Sequence, residues 1–123
     1  MPATSAALLA LQQALDAPRQ QGIALGNWRW VVRQRMAAVR DSLISESDDP
    51  SEGWLAARGG AVLRERNTLL ARLATVGPAV LESTEVEHVR LELKRLAVDI
   101  SHHVQRLHDL AYDEVELELG GSE

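Results

Sequence analysis

Apolar residues recur at spacings of three and four along almost the whole of this 123-residue chain, and no stretch before the last few residues alternates as a strand does. That period admits helices and little else. The expected fold class is therefore all-α. Short polar breaks between the periodic stretches require helices that double back on one another, which predicts an antiparallel up-down helical bundle of three long helices plus a short N-terminal helix.

Caps and stops set the expected boundaries. Ser5 caps a first helix that carries Ala7, Leu8, Leu11, Ala14 and Leu15 on one stripe and ends before Pro18. Residues 16–26 then read as a connector. Asn27 caps a second helix, to about Ser45, with Trp28, Val32, Met36, Val39 and Leu43 as its stripe. Asp49, Pro50 and Glu52 open a third that buries Leu55, Val62, Leu63, Leu69, Leu70 and Leu73 and stops near residue 76, at Gly77-Pro78. Inside it, Gly59-Gly60 costs about 1 kcal/mol per glycine against alanine, which either a close backbone approach or a kink would explain. Arg66 falls within the apolar stripe, where its guanidinium either reaches the rim or meets a carboxylate across an interface.

Thr84 and Glu87 form a capping box for the last helix, whose stripe is Val86, Val89, Leu93, Leu96, Ala97, Ile100, Val104, Leu107 and Ala111. It spans about 45 Å against about 28 Å for the second helix, and the overhang invites a second copy or another partner. Residues 1–112 are expected to form one domain. The acidic tail 113–123 is expected to fray, because its carboxylates stand at the negative end of the helix dipole.

Composition narrows the function classes. Cysteine is absent, which excludes disulfides, thiol nucleophiles and thiolate metal sites. With 46% hydrophobic and 25% charged residues, and no apolar run near the roughly 20 residues of a bilayer span, a soluble cytoplasmic protein is expected. The opening residues lack the basic start of a secretory signal. Arginine outnumbers lysine, of which Lys94 is the one example, a bias that GC-rich bacterial coding produces.

Three of the four histidines lie in DISHHVQRLHDL, residues 99–110. On a helix, at about 100° per residue, His102, His103 and His108 point in three different directions and cannot chelate one ion. His103 and His108 flank the apolar stripe, placed to bury a ring and wet its tip, and His102 faces away. Glu85-x-x-His88 would need a matching motif and inward carboxylates on other helices, and the other core stripes supply none. Asp99 and His103, four apart, can pair on the helix surface. No metal, cofactor or catalytic group is expected. An acid-base or metal enzyme centred on Asp99, His102 and His103 is the alternative this cluster leaves.

Charge alternates in blocks: residues 1–40 carry +4, residues 41–53 carry -5 and the tail 113–123 carries -5, within a total of -5. Arg29, Arg33 and Arg40 share one side of the second helix, where they could meet phosphates or the acidic tail. The net acidic charge argues against nucleic acid, so a nucleic-acid-associated regulator is the second alternative. Trp30, Ala37 and Ile44 recur every seven residues off the main stripe, as do Leu91 and Val98 on the last helix, and each second seam serves either a further neighbour within the bundle or a partner outside it. Together with the arginines and Arg66, these residues form the candidate interaction surface. The expected function is a non-catalytic helical interaction or adaptor protein, a homodimer that binds another protein through exposed helix faces and its acidic tail.

Overall fold

The structure, a computed structural model, describes residues 2–17, 23–45 and 60–121. These residues form four helices, α1 (Pro2–Asp16), α2 (Ile23–Ser45), α3 (Gly60–Glu82) and α4 (Val86–Gly121), with no strand among them. The all-helical class is as the periodicity requires. Their lengths differ from three long helices and a short one: α1 has 15 residues, α2 and α3 have 23 each and α4 has 36. At 1.5 Å per residue α4 is about 54 Å long and the two middle helices about 34 Å. The helix start expected at Asp49-Pro50, together with Leu55 and Gly59, lies outside the described residues.

Two helices begin earlier than the caps suggested. α1 starts at Pro2, whose fixed φ and missing N–H suit a first helical position, so Ser5 lies inside the helix. α2 starts at Ile23, so Asn27 lies one turn into it. α4 opens at Val86, where Ser83 Oγ accepts the Glu85 amide at 3.0 Å, and its backbone stays helical to Gly121, beyond the boundary expected at residue 112.

The largest departure is at Gly77-Pro78, which α3 passes through to end at Glu82. Proline obstructs a helix by clashing with the preceding residue's Cβ and by withholding a hydrogen bond from the carbonyl four residues back. Gly77 has no Cβ. Ala74 and Pro78 are both exposed, so water can reach the carbonyl that loses its partner. Gly77 has a second role, because Arg33 of α2 lies over it: an added Cβ would stand 3.3 Å from Arg33 Cζ and Nε. This approach is a side chain's, not the backbone's; the choice between close approach and kink at Gly59-Gly60 involves Gly59, outside the described residues. Among the described residues, a Cβ added at Gly60 would meet the Arg64 guanidinium, at 3.4 Å.

Replacing Pro78 with alanine restores the N–H toward Ala74. Stability should rise by about 1–3 kcal/mol, less whatever proline contributes by restricting the unfolded chain. A urea midpoint that stays put or falls would show instead that the packing of α3 depends on a bend at Pro78.

Each helix packs against two others: α1 and α3 each touch both α2 and α4. One continuous core results, with Leu8, Leu11 and Leu15 from α1, Trp28, Val32, Met36, Val39 and Leu43 from α2, Leu69, Leu73 and Val80 from α3, and Val89 through Val104 of the α4 stripe. A small satellite at one end joins Val62 and Leu107. Val62, Leu69 and Leu73 are buried as expected, whereas Leu63 and Leu70 are only partly covered, being on the flank of the stripe. No described helix is long and apolar enough to cross a membrane.

Polar side chains from one helix satisfy carbonyls at the ends of another. Helix C-termini leave four carbonyls without intrahelical partners. At the end of α1, Trp28 Nε1 donates to Ala14 O at 2.8 Å and Arg90 Nε to Leu15 O at 2.8 Å; at the end of α3, Arg29 donates to Val80 O at 3.1 Å. Arg35 reaches Ala10 O at 2.7 Å. These bonds tie the helices in a fixed register.

Candidate functional site

Between α3 and α4 lies a line of charged groups. Arg72 donates to Asp99 at 2.7 Å, and one to two helical turns further along, Glu65 receives His103 Nδ1 at 2.9 Å and both Nε and a terminal nitrogen of Arg106. His103 is fully buried, whereas Glu65 and Arg106 keep part of their surface in water. Burial opposes ionisation of Glu65, yet the hydrogen bonds from Arg106 and His103 outweigh it and hold its carboxyl below the ordinary glutamate value. Glu65 sits beside the α3 stripe, not on it, and sends its carboxylate toward His103 and Arg106 of α4.

The histidines separate as the helix angles require, with one correction. His102 and His108 are exposed, but His103 is buried whole instead of wetting its tip. A second helix explains it: α3 covers the ring and Glu65 supplies its polar partner, and neither was visible in the spacing on α4. Asp99, the partner expected from the i, i+4 spacing, is turned to Arg72. Among the described residues no group of three or more histidine and carboxylate side chains is placed to hold a metal ion.

The arginine stripe of α2 is divided. Arg29 and Arg33 are half-buried against α3, one on Val80 O and the other over Gly77, whereas Arg40 is exposed and bonded to Asp41 at 3.1 Å. Arg66 is buried, 8% exposed, with its Nε and Nη1 shielded from water. Sequence spacing had no means of finding Arg35, because its partner Ala10 O belongs to another helix's backbone.

Four of the expected surface residues are large apolar side chains standing in water. Trp30 is 62% exposed and Ile44 47% on α2; Leu91 is 51% exposed and Val98 47% on α4. α2 and α4 each pack chiefly on α1 and α3, so they stand diagonally across the bundle and their outer faces lie on opposite sides of it. Leu9 of α1, 56% exposed, joins Val98 in a groove between α1 and α4. Leu9 went unnoticed, although the stripe that turns Leu8 inward leaves Leu9 outside it.

At the edge of that groove Asp16 accepts Lys94 at 2.8 Å and Arg90 at 3.2 Å, and Arg90 also donates to Glu87 at 2.8 Å. The Lys94 hydrogen bond, followed by the attraction of Arg90, holds the Asp16 carboxyl below its ordinary value. Charges on this face are therefore matched among themselves. No family model matches the chain, and no curated protein and no solved structure does either.

Proposed function

We propose that this protein is a non-catalytic interaction or adaptor protein, an up-down antiparallel four-helix bundle that self-associates and binds another protein through its exposed helix faces and acidic tail. The antiparallel arrangement is supported by paired positions: Trp28 with Ala14 and Arg35 with Ala10 run in opposite senses on α2 and α1, as do Arg72 with Asp99 and Glu65 with Arg106 on α3 and α4. The observation that carries the functional reading is the pair of apolar seams, Trp30 with Ile44 and Leu91 with Val98, on opposite sides of one bundle. Isolated exposed apolar residues are ordinary on any surface, whereas aligned ones at heptad spacing suit a facing helix. Two such faces allow one molecule to hold two others.

The nucleic-acid reading has less support, because Arg29 and Arg33 spend their guanidinium groups on α3 and the chain carries a net charge of -5. Affinity capture from extract of the source organism, with and without nuclease, tests the proposal. A protein retained after nuclease treatment and lost with Trp30→Ser or Ile44→Ser is expected. Companions that vanish with nuclease and ignore both substitutions would replace this reading with the arginine one.

A further inference from the structure

Two grooves on the outer side of α1 and α4 meet at Leu9 and Gln12, making one trough along α1. Its walls are mostly uncharged, Gln12, Gln13, Ser101 and Gln105 beside Leu9 and Val98, with the ion pair of Asp16 and Lys94 at one end and His108 at the other. Its own charges, Asp16, Lys94, Arg90 and Glu87, are already paired with one another, and Arg95 lies on the other flank of α4, in a groove facing α3.

Building on the reading above, we infer that the α1/α4 face is where a second copy of this chain docks, leaving the Trp30–Ile44 seam of α2 for a different protein. Charge selects the occupant. Two molecules of net charge -5 repel at long range, so they associate best through a face whose charges are internally compensated, and a two-fold contact sets each face against itself. A strongly basic or acidic partner finds no unmatched charge to read there.

Size sets the strength to expect. α1 is about 22 Å long and two packed helices are roughly 20 Å wide, so the face offers roughly 450 Å² per copy, which suits a small, concentration-dependent dimer more than the roughly 800 Å² per partner of a standard stable interface. A two-fold axis near Val98 would bring Leu9 and Val98 of both copies to its centre, with Leu91 flanking. That puts the apolar groups where interface cores lose charge and the glutamines and Ser101 at the rim.

Sedimentation equilibrium of the full chain over a wide concentration range tests this, with Val98→Glu, Leu91→Glu and Ile44→Glu compared and their helicity checked by circular dichroism. All three sites are about half exposed, so the variants should fold. A wild-type dimer weakened at least about 100-fold by Val98→Glu and Leu91→Glu, and unchanged by Ile44→Glu, is the expected result. A dimer loosened by Ile44→Glu alone would overturn the assignment of the face and leave the adaptor reading standing. A wild-type monomer at every concentration would overturn self-association itself, while partner capture through Trp30 is decided separately by the extract experiment.

Discussion

Leu93→Ala should lower the unfolding free energy by about 2–5 kcal/mol, a large share of the roughly 5–15 kcal/mol that holds a domain folded. Leu93 is wholly inaccessible and belongs to the one core cluster that draws on all four helices. Truncation removes its methyl groups from that cluster and leaves a void that four rigid elements cannot all move to fill. Leu91, two residues earlier on the same helix, is 51% exposed, and its alanine variant should stay within about 0.5 kcal/mol of the wild-type monomer's stability. Urea unfolding of both variants at low concentration reads the contrast. Equal losses would mean that α4 is not turned with its Val89–Val104 stripe inward.

His103→Ala should cost about 2–4 kcal/mol, because it opens a cavity the size of a ring and strips one hydrogen bond from the Glu65 carboxylate. His103→Leu keeps most of the volume and should cost less, about 1–2 kcal/mol, which separates packing from polar satisfaction. The same site predicts an acid limb. Since the folded-state carboxyl of Glu65 titrates below its unfolded value, its contribution is fully present above the unfolded value near 4.5 and is lost as the pH falls through the lower folded one. Glu65→Gln should flatten that part of the stability profile while leaving the slope above pH 6 in place. An acid limb unchanged in Glu65→Gln would assign the titration to other carboxylates, with Asp16 the next to test.

How much of this was legible can be judged from particular residues. The α2 stripe Trp28, Val32, Met36, Val39 and Leu43 was read from spacing alone, and all five are buried. Trp30, Ile44, Leu91 and Val98 were read from spacing as second seams, turned either to further neighbours within the bundle or to a partner, and all four are exposed. Helix ends were read less well, because a cap signal is local and weak: Ser5 and Asn27 resemble caps, but continuing each helix toward its N-terminus adds hydrogen bonds and core contact. Gly77-Pro78 misled for a related reason, since the pair stops an isolated helix and here lies beneath the Arg33 guanidinium of another.

Periodicity by itself determined the class of this protein, its apolar stripes and the seams left outside them, because each of those depends only on the angle between successive residues of one helix. Partner choice among charged groups was decided by tertiary structure alone. Asp99 turned to Arg72 instead of His103, Glu65 gathered His103 and Arg106, and Arg29 took a carbonyl of α3 instead of a face in water. Each of those contacts joins residues 27 to 51 positions apart in the chain. A long side chain bonds to whatever the neighbouring helix presents within about 3 Å, and which helix is the neighbour is a property of the packed bundle.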